Sequence, residues 1–301
     1  MRFSGFESLL DRAKSFGRAK VAVAAAADKE VLGAIKLAQY EGLISPILVG
    51  DVLEIKRLAK EIGFSLKEVE LIHEPNPEAV ANKAVDVVVD GQAQFLMKGL
   101  INSADFLRAV LRPVRGLRTG RLLSHLAAFE VPGFSRMLFV TDGGMNIAPD
   151  LAQKKEILEN SLQYLQGIGM DSVNVVVLTA NEVVNLKMPA TMDAQALAEM
   201  NLAGEFSGAI VEGPLALDGA VSAAALKHKG ISSQINGEVD LFLVPSIEVG
   251  NVLGKSMVHF AGATMAGILL GAQVPIVLTS RNDTPRNKFM ALAMAAVSRE
   301  A

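Results

Sequence analysis

Residues 20–50, KVAVAAAADKEVLGAIKLAQYEGLISPILVG, decide the fold. Residues 21–25 are continuously apolar rather than alternating, as in a strand covered on both faces. Residues 29–40 place apolar side chains at helical spacing, and 46–49 is a second short apolar run. The stretch therefore predicts strand, helix, strand. The apolar run before Asp28 has the small-residue look of an export cleavage site. Glu7 and Asp11 spoil the basic leader such a signal needs, so the run reads as a first, buried strand.

The same alternation continues outward. Further strands are expected at 69–72, 95–97, 137–140, 173–178, 209–211, 241–244 and 275–278. Helical patterns fall at 78–89, 103–111, 150–168, 221–228, 257–270 and 286–297. Repeated β-then-α order defines a largely parallel, doubly wound α/β protein. Residues 256–280 carry no Asp, Glu, Lys or Arg, a length able to span a bilayer. The Gly271-Ala272-Gln273-Val274-Pro275 break divides that run into a buried helix and a buried strand, so a soluble, cytoplasmic protein is expected.

At 301 residues the chain has room for about two domains of roughly 150 residues. Its 29 Lys+Arg against 32 Asp+Glu give a net charge of −3. This leaves no bulk electropositive surface for nucleic acid or an anionic membrane, though a local basic cluster can hold a phosphorylated small molecule. Cysteine is absent, which removes disulfides, thiolate nucleophiles, Cys-ligated zinc and any acyl-Cys intermediate. The four histidines (73, 125, 228 and 259) form no HxH or HExxH pair, so no metal site is expected.

Open α/β sheets bind ligands beyond the carboxyl ends of their strands, so the residues there are the candidates. After 137–140, Gly143 and Gly144 free backbone amides that can approach an anion; a plain loop ending in a helix cap explains them equally well. After 209–211 comes Asp218, an N-cap first and a functional carboxylate second. After 241–244, Gly250-Asn251 reads as a turn. Lys255 then sits before the long uncharged helix, where its charge opposes the helix dipole and a bound anion would explain it. After 275–278 stands Thr279-Ser280-Arg281-Asn282-Asp283-Thr284-Pro285. Thr284 and Pro285 suit a helix start, which leaves Asp283 for chemistry, and Arg281 offers a planar fork for phosphate. Arg108, Arg112, Arg115, Arg118 and Arg121 form a row with no acid between 108 and 130, read as an anion-binding cluster rather than a solvated face.

The segments GQAQFLMKG (91–99), SADFLRAVL (103–111), LRTGRLLSH (117–125), TDGGMNIAPD (141–150), EGPLALDGAVS (212–222), VPSIEVGNVLGKS (244–256) and GILLGAQVPIVLTSRND (267–283) resemble the phosphate acetyl/butyryltransferase family. Their order and spacing carry the resemblance, which covers the chain from about residue 29 onward. The length and the SRND form are most similar to the butyryl branch. The resemblance implies an isocitrate/isopropylmalate-dehydrogenase-like architecture of two α/β domains, 1–140 plus 276–301 and 141–275, with an interdomain cleft. It implies the reaction acyl-CoA + phosphate = acyl phosphate + CoA, with coenzyme A as substrate, no tightly bound cofactor, and a homodimer or higher assembly. Carried over residue by residue, Ser280, Arg281 and Asp283 would be catalytic. Lys98, Arg118, Ser124, Asn146, Asp218, Asn251 and Lys255 would bind substrate. The acetyl branch places an Asp seven residues after the Ser; here that position is Asn287. With no cysteine, direct transfer in a ternary complex is the natural route.

Three other readings compete. A metal- and nicotinamide-dependent decarboxylating dehydrogenase would need converging Asp residues and a nucleotide loop, and no G-x-G-x-x-G is present. An acyltransferase feeding lipid synthesis would act on long acyl chains or carrier-protein thioesters. A non-catalytic acyl-CoA or acyl-phosphate sensor is supported only by Asn287.

Overall fold

The computed structural model describes residues 2–279 and 283–298. Two compact units emerge: Phe6–Arg121 with the chain from Ala266 onward, and the segment up to Gly5 with Leu122–Met265.

The first unit begins α1 (Phe6–Ser15), β1 (Ala19–Ala24), α2 (Lys29–Tyr40), β2 (Ile44–Gly50), α3 (Val52–Glu61), β3 (Glu70–His73), α4 (Val80–Val89), β4 (Phe95–Lys98) and α5 (Ser103–Val110). Asp28, Asp51 and Asn102 each cap the helix that follows, their side chains accepting backbone N–H groups of its first turn. β1 pairs in parallel with β2 on one side and β4 on the other, and β2 pairs in parallel with β3. Every β1 residue but Lys20 is buried, the two-sided cover that the unbroken apolar run predicts.

The second unit contains β5 (Ser124–Glu130), β6 (Leu138–Thr141), α6 (Leu151–Gly167), β7 (Val173–Leu178), α7 (Pro189–Leu202), β8 (Ala209–Leu215), α8 (Leu217–Val221), α9 (Ala223–Lys229), β9 (Leu241–Leu243) and α10 (Ile247–Ala261). β6, β9, β7 and β8 run parallel in that order, and β5 joins antiparallel beside β6. Asp150 and Gln153 close a capping box at the start of α6.

The chain then supplies β10 (Thr264–Leu270), β11 (Ile276–Val277) and α11 (Pro285–Val297). β11 lies parallel to β4 and antiparallel to β10. α11 buries every residue from Lys288 to Val297 and packs against α1 and α2. The α/β, mostly parallel reading holds in both units.

Several expectations are corrected. Residues 257–270 are not one helix: Gly262, at φ +70°, terminates α10, and 264–270 is strand. The helix expected at 221–228 is two short helices joined at Ser222, which caps the second. β5 was not anticipated, because its Ala-rich SHLAAFE sequence carries a weak strand signal. No helix among the described residues is long and apolar enough to cross a membrane.

Candidate active site

In the second unit, the loop after β6 is organised by a buried acid. Asp142 is 2% exposed. Its carboxylate accepts from the backbone N–H of Gly144 at 2.9 Å, Met145 at 2.8 Å and Asn146 at 3.3 Å, and from Asn146 Nδ2 at 2.7 Å. The Gly144 amide, one of the two expected to approach an anion, is thus already engaged. Asn146 Nδ2 also donates to the carbonyl of Leu123 at 2.8 Å, which fixes that side chain.

This loop lies directly on the first turn of α10. The carbonyl of Ile147 accepts from Ile247 N at 2.9 Å, and Gly143 meets Gly250 backbone to backbone. A Cβ on Gly144 would stand 3.0 Å from the His125 ring, so His125 closes the loop's other side. Ser246 is the N-cap of α10, and Gly250-Asn251 is helix rather than turn. Lys255 lies within α10, not ahead of a helix, and the dipole argument for it lapses. Asn251 and Lys255 are both exposed and four residues apart, so they share one helix face beside the Gly143–Gly144 loop. Glu248, in the same first turn, has its carboxyl held below the usual range by a hydrogen bond with Ser246.

Asp218 is not a cap: Ala216 holds that position, and Asp218 sits in the first turn of α8. It accepts from Lys229 Nζ at 2.8 Å, and Lys229 also donates to Glu182 at 2.7 Å. The Lys229 bond lowers the Asp218 carboxyl and raises the ammonium. Ser124 is fully buried, its Oγ accepting from Asn160 Nδ2 at 3.0 Å.

In the first unit, Lys98 ends β4 and is 4% exposed. Its Nζ donates to the carbonyls of Gly99 at 3.2 Å and Ile101 at 3.1 Å. Gly99 is pressed on β1: an added Cβ would stand 2.3 Å from the Ala25 carbonyl oxygen. Arg118 is exposed, and its loop is fastened to the turn before β11. Thr119 Oγ1 donates to Gly271 O at 2.6 Å, and Gln273 N to Leu117 O at 2.9 Å. Beyond β11, Thr284 caps α11 by accepting from Asn287 N at 3.2 Å, with Pro285 at the first helical position, as expected. Ser280 and Arg281 lie outside the described residues. Asp283 is half-buried and begins the described chain on the far side of them.

Three of the five arginines in the row are held by acids. Arg108 pairs with Asp105, Arg112 with Asp86, and Arg115 with Asp86 and Asp90. Only Arg118 of these four forms no ion pair among the described residues. The reading of residues 108–121 missed Asp86 and Asp90 because they stand on and after α4, more than twenty positions upstream, and missed Asp105 because it looked only beyond Arg108. It also missed Lys288, which is 3% exposed and donates from Nζ to the Asp283 carbonyl at 2.5 Å. The available signal was a lysine placed directly before the unbroken apolar run FMALAMAAV.

The comparisons with known proteins bear on family and fold. Residues 76–296 match the family model described as phosphate acetyl/butaryl transferase. The chain is 43% identical over 292 residues to the phosphate butyryltransferase of Clostridium acetobutylicum, covering 97% of each. It is 41% identical to the phosphate acetyltransferase of Thermotoga maritima, over 97% of this chain and 98% of the relative. The crystal structure of a branched-chain phosphotransacylase from Enterococcus faecalis V583 superposes with a TM-score of 0.83 at 34% identity, over 94% of this chain and 99% of that one. The fold is that of a phosphate acyltransferase, an enzyme of the transferase class. The chain belongs to the phosphate acetyl/butaryl transferase family.

Proposed function

We propose that the chain interconverts short-chain acyl-CoA plus phosphate with acyl phosphate plus CoA, with butyryl-CoA the favoured thioester. The observation that carries the acyl preference is the 43% identity to a phosphate butyryltransferase across nearly the whole of both chains. Acetyl-CoA is the second substrate, supported by the 41% identity to a phosphate acetyltransferase. Each methylene in an apolar pocket discriminates by about 1–3 kcal/mol and butyryl carries two more than acetyl, so acetyl-CoA should react, more slowly.

In this reading transfer is direct. A phosphate oxygen attacks the thioester carbonyl, the acyl–oxygen bond forms, the acyl–sulfur bond breaks, and CoA leaves as the thiol after taking a proton. The sequence holds no cysteine to carry the acyl group. Arg281 holds phosphate, Ser280 hydrogen-bonds the reacting carbonyl or sulfur, and Asp283 moves the proton. Lys98, Arg118, Asn146, Asp218, Asn251 and Lys255 are proposed to bind substrate. Ser124, being fully buried, is given the supporting task of anchoring Asn160. The reading carries with it a cytoplasmic homodimer or higher homo-oligomer using CoA as substrate, without a tightly bound cofactor.

The test is phosphate-dependent release of free CoA from butyryl-CoA and from acetyl-CoA, followed with a thiol reagent against a cysteine-free background. Release that needs phosphate and is faster with butyryl-CoA is expected. Faster acetyl turnover would move the preference, and no release with either would overturn the short-chain reading.

A further inference from the structure

A cavity of about 670 Å³ lies in the first unit, at the opposite end of β1 and β4 from Lys98 and Gly99. It is formed by the residue before β1, the last turns of α2 and the link from α3 to β3. Arg18, Lys36 and Lys67 line it together with a single acid, Glu68, and with Tyr40 and Phe64. Three cations against one acid is a local surplus in a chain whose net charge is −3.

The cations are weakly employed. Arg18 reaches Glu68 only at 3.4 Å, with side chains 52% and 73% exposed, a contact of little worth in water. Lys67 forms no ion pair among the described residues. Lys36 Nζ donates to the carbonyl of Ile62 at 2.8 Å, which holds its charge at the rim. The apolar side is equally unusual: Phe64 forms a buried floor, while the Tyr40 ring stands 85% exposed. Gly63, at φ +62°, leaves the rim without a side chain.

We propose that this groove is a second binding site, for a nucleoside phosphate. The phosphate is held by the Arg18 fork and by Lys67, exchanging a stretched surface contact for charge-assisted bonds. The base lies over the Tyr40 ring and covers it from water. Inorganic phosphate alone would leave the aromatic side unused, and an apolar ligand would leave the cations unused. A free nucleotide and the nucleotide half of CoA share this chemistry.

Titration calorimetry with ATP, ADP and AMP, with and without saturating CoA, tests the assignment. One equivalent of nucleotide per chain is expected to bind with CoA present. The double variant Arg18→Ala/Lys67→Ala should weaken it about tenfold or more while phosphate-dependent CoA release stays unchanged. If CoA abolishes the nucleotide signal and the double variant takes up one CoA equivalent fewer than the native chain, the occupant is the nucleotide half of CoA and the site stands. If CoA abolishes the signal and CoA uptake is unaltered in the variant, the site is refuted. Absence of binding by any nucleotide at millimolar concentration, or unaltered affinity in the double variant, also overturns it. Tyr40→Ala removes only an exposed ring; it should weaken binding severalfold, and it decides the question if the double variant does not fold.

Discussion

Gly143 and Gly250 touch through their backbones: a Cβ built on Gly250 would stand 2.6 Å from the Cα of Gly143 and 2.9 Å from the Val244 side chain. One Cβ on either residue would have to push the helix from the loop. Gly250→Ala should therefore cost about 1–3 kcal/mol, the range for forced overpacking, and lower the thermal midpoint. CoA release should fall further than stability does, because Asn251 and the Asn146 loop separate together. Differential scanning calorimetry beside the thiol assay checks both; a native midpoint with native turnover would show that the contact yields freely.

Asp142 is the knot of the same loop. Asp142→Ala leaves three backbone N–H groups and the Asn146 amide short of an acceptor, and the loss should reach about 2–4 kcal/mol in urea unfolding. Asp142→Asn keeps one carbonyl oxygen and should lose less. Equal losses in the two variants would mean that the hydrogen bonds are not what holds the loop.

Asp86 sets a pH dependence. Burial pushes its carboxyl up, but hydrogen bonds from Arg115 and Arg112, with their charges, outweigh this and hold it below its ordinary value. A carboxylate depressed in the folded state contributes stability above its unfolded pKa, near 3.9, and loses it as pH falls through the folded value. Asp86→Asn should thus flatten the acid limb of the stability curve below about pH 4. Its cost at pH 7 should be about 1 kcal/mol or less, since the cluster is partly solvated. Urea midpoints from pH 2.5 to 7 measure this, and an unchanged acid limb would contradict it.

For the proposed chemistry, Arg281→Ala should lower kcat by about 10²–10³, the scale for losing one preorganised oxyanion or phosphate donor. Asp283→Asn should reduce kcat with little change in KM and remove a limb of the pH–rate profile. Asn287→Ala should leave turnover within about threefold. A large loss at Asn287 with none at Asp283 would move the proton-transfer role, and steady-state kinetics across pH separates the cases.

Lys98 ties the end of β4 to its own following turn. Lys98→Met keeps the stem but removes the Nζ bonds to the Gly99 and Ile101 carbonyls, leaving Gly99 O with the Ile101 N–H alone, so about 1–3 kcal/mol of stability should be lost. If turnover falls only in proportion to the folded fraction, the ammonium has no part in binding substrate.

What local sequence could reveal was periodicity and caps. β1, α2, β2 and the Thr284–Pro285 helix start all rest on residues close to one another in sequence, and each is where the sequence reading puts it. The α10–β10 region was misread because 256–280 has no charge to punctuate it and both helix and strand accept its apolar residues. Gly262, placed to end a helix, was the usable signal. The paired arginines and the buried knot at Asp142 depend on residues brought close by folding, and no local spacing announces them. Lys229 illustrates the same limit, joining Glu182 and Asp218 across 47 and 11 positions.

β4 receives its outer neighbour from the far end of the chain, since β11 follows it by almost 180 positions, and α11 completes the cover of α1 and α2. A ribosome making this protein therefore releases Phe6–Arg121 with one strand edge bare and one helical face open, and finishes that unit only once β11 and α11 have emerged. The intervening unit has all of its own strands before then. The early part of the nascent chain waits longest, so chaperone binding should concentrate on it. C-terminal truncation should be felt at residues translated first, and a fusion at the carboxyl end should disturb folding more than one at the amino end.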